Sequence, residues 1–176
     1  LWTYAVAERP APEEAFRPAP ETPTLQELEE VYRSAEIDGG AKVLGIIGNP
    51  VSHSRSPLIH NGWLRDAGLH AVYIPFLVDE PKAFFRIAEE LPVDGFSVTV
   101  PHKQAVISEL DEVDPAVKKI GACNTVYRGP AGWHGTNTDY EGFLAPLGRQ
   151  LERGEISSCL VIGAGGAART AVHALK

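Results

Sequence analysis

Three serines and one arginine are clustered in the segment Asn49-Pro50-Val51-Ser52-His53-Ser54-Arg55-Ser56-Pro57. The segment directly follows a short apolar run, and ligands in open α/β sheets bind just beyond the carboxyl ends of strands. Serine hydroxyls, a guanidinium group and the N-terminus of a following helix can together hold a carboxylate. A loop that ends in a serine helix cap has the same composition, so this cluster by itself leaves both interpretations open.

A lysine ends the next segment of interest, Ser97-Val98-Thr99-Val100-Pro101-His102-Lys103. Thr99 is predicted at the carboxyl end of a strand, and Lys103 in the first turn of the next helix. A cation in that turn is opposed by the helix dipole, and this electrostatic cost indicates a functional role for Lys103. The alternative is an ordinary solvated lysine on the surface.

Two later segments, Asn124-Thr125 and Gly135-Thr136-Asn137-Thr138-Asp139, place amide and carboxylate side chains at strand ends. Asn and Asp at such positions usually form turns. The same side chains can also bind the hydroxyl groups of a sugar-like ligand, because each offers directional donors or acceptors. Taken singly, each of these residues is interpreted as a turn residue.

The segment Gly163-Ala164-Gly165-Gly166-Ala167-Ala168 has the G-x-G-x-x-A spacing of dinucleotide-binding turns. Its glycines allow the backbone to approach a pyrophosphate, and the amides at the helix N-terminus face the negative charge. A strand is predicted before it and a helix after it, which is the required context. A merely structural glycine-rich turn has the same appearance, so this motif too is weak when taken by itself.

The elements that must position these side chains alternate between strand and helix. Apolar runs predict strands at residues 42–48, 71–76, 95–100, 122–127, 132–135 and 158–163, and helical spacing predicts helices from Thr24, Ser56 and Pro81 and over 102–110, 141–152 and 167–176. This alternation predicts an α/β fold, with a mostly parallel sheet followed by the start of a Rossmann unit. Residues 1–7 are predicted as a further short strand and the Pro-rich stretch after them as a semi-rigid linker.

Composition excludes several classes of function. The 176 residues carry a net charge of −7, which argues against a nucleic-acid partner because phosphate binding needs a basic surface. No apolar run approaches the ~20 residues that cross a bilayer, so no membrane partner is expected. The histidines show no ligand spacing and the two cysteines, Cys123 and Cys159, are far apart, so no metal site is expected. Such cysteine usage suits a reducing compartment, which we expect to be the cytoplasm, or a plastid if the source is a plant.

Taken in chain order, the motifs resemble the shikimate dehydrogenase family. They are Gly48 to Pro57, Val98 to Lys103, Gly121-Ala122-Cys123-Asn124-Thr125, Asn137-Thr138-Asp139 and Gly163 to Ala168, and five motifs in the correct order make the resemblance specific. It extends from about residue 42 to the end of the chain. It implies a shikimate-binding catalytic domain followed by a Rossmann domain that binds NADP.

The resemblance also implies a role for each matching residue. Ser54 and Ser56 correspond to carboxylate-binding serines, and Lys103 and Asp139 to the pair on either side of the hydroxyl that is oxidised. The further substrate-binding positions are Thr99 and Asn124, and the cofactor-binding turn consists of Gly163, Ala164, Gly165, Gly166 and Ala167. The implied reaction is the reversible NADP-dependent reduction of 3-dehydroshikimate to shikimate on the pathway to aromatic amino acids. We hypothesise that Lys103 contributes more than Asp139, and which of them is the formal acid or base stays open.

The N-terminal part resembles the end of a type I dehydroquinase, which precedes shikimate dehydrogenase in fused, multifunctional pathway enzymes. We expect residues 1–40 to be a remnant of that domain with a linker helix, residues 41–140 the shikimate-binding domain, and residues 141–176 the start of the NADP-binding domain. The chain begins with Leu and contains no Met. It ends before the loop that should bind the 2′-phosphate of NADP. We therefore expect a piece of a longer polypeptide that does not reduce 3-dehydroshikimate by itself.

Two alternatives stand beside this function. The same fold can act on quinate, whose ring carries an added hydroxyl, although the intact set of Ser54, Ser56 and Thr99 favours shikimate. The chain can also be a binding module that holds shikimate without turnover. Rates on both substrates, and titration with shikimate beside an NADPH assay, distinguish these alternatives. The sequence does not indicate the oligomeric state.

Overall fold

Six strands form one mixed sheet in the computed structural model, which describes residues 23–176. The strands are β1 (Lys42–Gly48), β2 (Ala71–Leu77), β3 (Val93–Val98), β4 (Glu112–Val113), β5 (Thr125–Gly129) and β6 (Gly132–Thr136). The helices are α1 (Leu25–Glu30), α2 (Ser56–Asp66), α3 (Pro81–Glu90), α4 (Pro115–Ile120), α5 (Asp139–Leu144), α6 (Gly148–Glu152) and α7 (Gly166–Ala174), and a 3-10 helix covers Ala105–Glu109.

The strand pairing confirms the predicted α/β class and the mostly parallel sheet. The strand order is β2-β1-β3-β5-β6-β4. β1 pairs in parallel with β2 and with β3, and β4 pairs in parallel with β6, whereas β5 is antiparallel to both of its neighbours. α2 connects β1 to β2 and α3 connects β2 to β3, because parallel strands require a crossover that returns the chain to the same end of the sheet.

The larger hydrophobic core packs α3 against one face of the sheet. Phe84 and Phe85 of α3 meet Phe96 of β3 edge to face, with ring centroids 5.1 and 5.5 Å apart, and Phe85 meets Trp133 of β6 at 5.6 Å. Such edge-to-face pairs add to the stabilisation from burial. A smaller cluster, which includes a residue of α2, consists of Ile46, Val51 and Tyr73 with Leu44 and Leu64.

Most predicted elements are confirmed, with shifts at their ends. β1, α2, α3 and α7 begin within one residue of the prediction, and the capping box of Thr24 with Glu27 is present at the start of α1. β3 lies two residues earlier than predicted and β5 begins three residues later. β4 and α4 were not predicted. The strand predicted at residues 1–7 and most of the predicted linker lie outside the described residues.

The helix predicted over residues 102–110 is wrong in its first half. Only Ala105–Glu109 is helical, as a 3-10 segment. The carbonyl of Lys103 accepts a hydrogen bond from the Cys123 N–H at 2.7 Å, and the ring Nε2 of His102 lies 2.6 Å from the Val78 carbonyl. The Lys103 carbonyl bonds to Cys123, and the Ile107 N–H bonds to the Gln104 carbonyl at 3.2 Å, so the segment continues as a 3-10 helix and not as a regular α-helix.

The helix predicted over residues 141–152 is divided in two. α5 ends at Leu144 and α6 begins at Gly148. Pro146 lies between them, and proline has no N–H to donate to the preceding turn, while its ring clashes with the carbonyl four residues back. The apolar spacing across this region is helical, but the proline interrupts it.

The strand predicted over residues 158–163 is not formed. Leu160 and Ile162 are 86% and 89% exposed, and within residues 23–176 no strand pairs with this segment. A strand is stable only when a neighbour satisfies its backbone groups and a packed face buries its side chains. The apolar run therefore remains an extended, exposed segment that leads into the glycine-rich turn.

Candidate active site

The predicted site segments meet at one edge of the sheet, the edge at which β1, β3 and β6 end and β5 begins. The strand directions bring them there. β1 and β3 are parallel, so the loops after Gly48 and Val98 leave the sheet on the same side. β5 is antiparallel to β3, so its first residues lie at that side, and β6 ends there again. The Asn124 N–H donates to the Thr136 carbonyl at 3.2 Å, and the Val98 N–H donates to the Asn124 carbonyl at 2.7 Å.

Lys103 and Asp139 form an ion pair at this edge. Lys103 Nζ donates to Asp139 Oδ2 at 2.5 Å. The two side chains are 19% and 36% exposed, so the pair is partly withdrawn from water but open on one side. Partial burial strengthens the attraction between charges relative to an exposed pair. The structure therefore brings together two residues that lie 36 positions apart in the sequence.

Asn124 fixes the orientation of Asp139 and of the residue before it. Its Nδ2 donates to Asp139 Oδ1 at 2.8 Å and to Thr138 Oγ1 at 2.9 Å. Its Oδ1 accepts from the Thr138 N–H at 2.8 Å. Because a backbone N–H can only donate, this last bond determines which amide atom is the oxygen. Both carboxylate oxygens of Asp139 thus have partners, and the ion pair has a defined geometry.

Ser54 and Ser56 lie in the loop after β1 and at the start of α2. The Ser56 N–H donates to Ser54 Oγ at 3.2 Å, which satisfies one of the free amides at the helix start. In the described part of the chain, no hydrogen bond or ion pair joins these serines directly to Lys103 or Asp139. They form a separate polar group beyond the same sheet edge.

Thr99 lies next to the last residues of β1. Its N–H donates to the Ile47 carbonyl at 2.9 Å. A β-carbon on Gly48 would collide with Thr99 Cγ2, so a residue without a side chain is required at this close approach. Thr99 is half-buried, and its position is fixed by the neighbouring strand end.

A cavity of about 450 Å³ lies between the glycine-rich turn and the segment that contains Lys103, the lysine of the ion pair. Its lining residues come from the end of β3 with Lys103 and from the turn with the start of α7, and include Thr99, Lys103, Gly163, Gly165, Gly166 and Ala167. A β-carbon on Gly166 would lie only 2.8 Å from Lys103 Cβ. The turn therefore packs directly against the lysine, which the spacing of the motif did not indicate.

A buried polar contact anchors α7 to the segment before Asp139. Asn137 Nδ2 donates to the Ala122 carbonyl at 2.8 Å and to Thr170 Oγ1 at 3.3 Å. Thr170 Oγ1 in turn donates to the Gly166 carbonyl at 3.0 Å. The residue immediately before Thr138 thus holds the first turns of α7, and so links the glycine-rich turn to the ion pair.

Residues 23–176 contain neither a cluster suited to a metal ion nor a helix suited to a membrane. No group of three or more His, Cys, Asp or Glu side chains is arranged to hold a metal ion. None of the helices in this part of the chain has the length and apolar character needed to cross a bilayer.

The segments that form this edge of the sheet are similar in sequence to a known protein family. Residues 46–126 match the family model described as "Shikimate dehydrogenase substrate binding domain". This stretch, somewhat less than half of the chain, is therefore similar to the substrate-binding domain of shikimate dehydrogenases. Ser54, Ser56, Thr99, Lys103 and Asn124 lie inside the matched region.

Shikimate dehydrogenases from other organisms extend this similarity. The shikimate dehydrogenase (NADP(+)) of Thermosynechococcus vestitus is 46% identical over 141 residues, which is 79% of this chain and 49% of that protein. The crystal structure of shikimate dehydrogenase from Aquifex aeolicus has a TM-score of 0.73 at 42% identity, over 79% of this chain and 53% of that one. Shikimate 5-dehydrogenase from Thermus thermophilus, solved in complex with NADP(H) and shikimate, has a TM-score of 0.65 at 36% identity, over 76% and 51% of the chains. The chain spans about half the length of the curated relatives it matches.

Three polar residues of the region that matches the family model, and of its flanks, were missed by sequence reasoning. Tyr73 and Ser97 were assigned only to strands, and Thr170 only to a helix. Ser97 had a usable signal, because it is a hydroxyl residue inside an otherwise apolar strand run. Tyr73 and Thr170 had none, since their partners lie 24 and 33 residues away.

Cys123 lies next to Asn124 but has a structural environment. Burial raises the pKa of its thiol to about 11 and outweighs the backbone contacts with Thr125 and Thr136, which act in the opposite direction. The thiol is therefore neutral near pH 7 and a poor nucleophile. Its sulfur lies within hydrogen-bonding distance of two backbone carbonyls, that of Thr125 at 3.3 Å and that of Thr136 at 3.4 Å.

Proposed function

We propose that the protein is an NADP-dependent shikimate dehydrogenase, which interconverts 3-dehydroshikimate and shikimate. The observation that carries this proposal is the Lys103–Asp139 pair at 2.5 Å, whose lysine lines a cavity that is also lined by a glycine-rich turn. A ketone reduction needs a proton donor and a hydride donor on the same carbonyl group, and this arrangement supplies a place for both. The names of the relatives, which are shikimate dehydrogenases, support the same reaction.

The proposal divides the chain by role. Residues 41–140 form the substrate-binding part, and residues 141–176 the start of the cofactor-binding part. Ser54 and Ser56 donate hydroxyl hydrogen bonds to the carboxylate of the substrate, because neutral donors at a helix start favour an anion. Thr99 and Asn124 contact the ring hydroxyls. Their half-buried side chains lie at the same sheet edge as the ion pair.

The glycine-rich turn fits a pyrophosphate-bearing cofactor, which we propose is NADP. A β-carbon on Gly165 would meet nothing within 4 Å, so a ligand can approach the backbone there. The helical hydrogen bonds of α7 begin with Arg169 N–H to Gly165 carbonyl, so the amides of the first turn are available to an anion. Gly163 to Ala167 would hold the pyrophosphate, and the bound cofactor would supply the hydride to the carbonyl carbon.

The remaining step is a proton transfer by the protein. As the carbonyl carbon gains the hydride, its oxygen becomes an alkoxide and takes a proton from the Lys103 ammonium. Asp139 holds that ammonium and stabilises it, and in the reverse direction the same pair accepts the proton from the shikimate hydroxyl. Asn124 keeps Asp139 aimed at the lysine through its bond to Oδ1.

Replacement of Lys103 by Ala tests this proposal. In a version of the protein that extends to the length of its relatives, Lys103→Ala should lower kcat by about 10²–10⁴-fold, which is the usual contribution of general acid–base catalysis. Binding of shikimate, measured by calorimetric titration, should weaken much less. Lys82→Ala, on the exposed surface of α3, is the matched control and should leave both quantities unchanged. An unchanged kcat in Lys103→Ala would exclude the proposed role.

Two further measurements separate the alternatives. Comparison of kcat/KM on shikimate and quinate shows whether the ring with the added hydroxyl is accepted. Titration of the 176-residue chain with shikimate, beside an assay of NADPH oxidation, distinguishes a binding module from an enzyme. We expect binding of shikimate by this chain, because the proposed substrate-binding residues all lie within it. No binding would contradict the assignment of the substrate site.

A further inference from the structure

His102 is a buried histidine that the proposed reaction does not use. It directly precedes Lys103 and is 4% exposed. Its ring Nε2 lies 2.6 Å from the carbonyl oxygen of Val78, the residue that follows β2. A carbonyl oxygen can only accept, so Nε2 carries a hydrogen and donates it. The ring next to the proposed acid–base lysine is therefore bonded to a backbone group that lies 24 residues away in the sequence.

This hydrogen bond connects the turn after β3 to the ends of the two neighbouring strands. β1 lies between β2 and β3 in the sheet, so a bond from His102 to Val78 crosses the end of β1. Val78 is itself held at that place, because its N–H donates to the Gly48 carbonyl of β1 at 3.1 Å. The His102 N–H donates to the Thr99 carbonyl at 2.9 Å, which attaches the histidine to the start of its own turn.

The backbone of Lys103 is held from the other side by the segment that leads into β5. The Lys103 carbonyl accepts from the Cys123 N–H at 2.7 Å, and the next residue, Asn124, donates to Asp139 Oδ1 at 2.8 Å. Lys103 thus lies between two long-range bonds, one made by its own carbonyl and one made by the side chain of His102. A lysine side chain is a flexible four-carbon stem, so the place of its ammonium depends on where the backbone starts it.

We propose that His102 is a positioning residue, whose ring N–H fixes the backbone of Lys103 so that the ammonium meets both Asp139 and the substrate carbonyl. Without this bond the nearest attachment of the turn to β1 is the Thr99 N–H, four residues before Lys103, which donates to the Ile47 carbonyl. The residues between could then shift, and a misplacement of about 1 Å can lower a rate by about 10²-fold. This inference rests on the proposed function, in which Lys103 donates the proton.

Two substitutions separate the N–H of the ring from its volume. His102→Gln has an amide Nε2 that can take the place of the ring nitrogen and donate to Val78. His102→Phe keeps a planar ring and has no donor. In the version of the protein that extends to the length of its relatives, His102→Phe should lower kcat by about tenfold to 10²-fold, whereas His102→Gln should keep kcat close to that of the unmodified protein. The Kd of shikimate, measured by calorimetric titration, should change little in both variants.

A merely structural role for the ring predicts the opposite order. If the packing of a ring is what matters, His102→Phe keeps kcat and His102→Gln loses stability and activity. A folded His102→Gln with a strongly lowered kcat would therefore overturn the inference, whatever the behaviour of the second variant. If His102→Phe does not fold, His102→Leu takes its place, because leucine is apolar and also lacks the donor. His70→Phe is the matched control, since the His70 side chain is 48% exposed at the opposite end of β2, and it should leave kcat and Kd unchanged.

Lys103→Ala, measured beside these variants, keeps this inference apart from the proposed function. An unchanged kcat in Lys103→Ala would overturn the proposed role of the lysine and this inference with it. A strongly lowered kcat in Lys103→Ala, together with an unchanged kcat in His102→Phe or His102→Leu, would overturn the inference and leave the role of the lysine intact.

Discussion

The two walls of the candidate site are built in different ways. The sheet-edge wall, with Thr99, Lys103, Asn124 and Asp139, is held by strand pairing and by hydrogen bonds between its own side chains. The turn wall consists of residues 158–168. It includes the unpaired segment 158–163 and is held mainly through α7. Groups fixed by a rigid sheet are preorganised, whereas the turn takes its position from α7, which packs against α5 and α4, and from the contact of Gly166 with Lys103.

A pair of identical substitutions tests this difference and should give the largest effect. Ile47 of β1 is 0% exposed and Ile162 is 89% exposed. Ile47→Ala removes buried methyl groups and leaves a cavity, so it should lower the free energy of unfolding by about 2–5 kcal/mol. Ile162→Ala removes little buried area and should stay within about 0.5 kcal/mol. Urea unfolding of both variants measures the two values.

Each isoleucine serves as the control for the other. A loss of stability in Ile162→Ala as large as that in Ile47→Ala would mean that residues 158–163 are packed as firmly as β1. In that case the two walls would not differ in the way described here.

Sequence reasoning predicted the fold well where one local signal decides the outcome. Apolar runs identified β1 and β2, and proline with serine marked the start of α2. It failed where distant partners decide. The Lys103 carbonyl is taken by Cys123, which prevents a helix at residues 102–104, and β4 has only two residues, too few to show a strand pattern. Pro146 was a readable signal for dividing α5 from α6.

The candidate site was predicted through the resemblance of ordered motifs, and the geometry adds what the motifs could not contain. The contact of Lys103 with Asp139 depends on β5 being antiparallel, which no local pattern shows. The same holds for the packing of Gly166 against Lys103. The substrate and cofactor roles of the individual residues stay predictions, as does the derivation of residues 1–40 from a dehydroquinase-like domain.

Removal of the Thr170 hydroxyl should produce an intermediate effect on the turn wall. Thr170 is 2% exposed and lies between Asn137 and the Gly166 carbonyl. Thr170→Val keeps the size of the side chain but loses both bonds, so we expect a loss of about 1–2 kcal/mol. Limited proteolysis should also cut residues 158–165 faster, because α7 is less firmly held.

A double-mutant cycle with Asn137→Ala identifies the contact responsible. Residues that share a hydrogen bond should show a coupling of about 0.5 kcal/mol or more. Purely additive losses would show that the two residues act independently, and the anchor of α7 would then have to lie elsewhere.

The smallest expected effect is a pH dependence of stability that arises from the contacts between β6, β4 and the start of α4 alone. His134 of β6 lies between Asp114, at 2.9 Å, and Glu112, at 3.5 Å. The hydrogen bond with Asp114 is the main cause that raises the pKa of His134, and burial opposes it. A raised pKa in the folded state means that the charged imidazolium stabilises the protein below the unfolded value of about 6.5, and that this contribution is lost as the pH rises through the folded value.

The contribution of His134 to stability should therefore fall as the pH rises above about 6.5, and His134→Gln should remove it. Burial lowers the pKa of His60, whose contribution changes in the opposite direction, so the effect is the difference in slope between the unmodified chain and His134→Gln. The pKa of Asp114 is lowered, first by a hydrogen bond from Thr136 and then by His134, so its own contribution is lost only at acid pH, outside this interval. Urea unfolding at several pH values measures the slope, and His53→Gln, in the exposed loop after β1, should keep it. Proteolysis of residues 158–165 in the native state should not follow the same pH dependence, because within the described residues no hydrogen bond, ion pair or ring contact joins His134 to α7. If the rate of cleavage of the turn changed in parallel with the free energy of unfolding, the two walls would unfold together. The sheet-edge wall would then not be more stable than the turn wall.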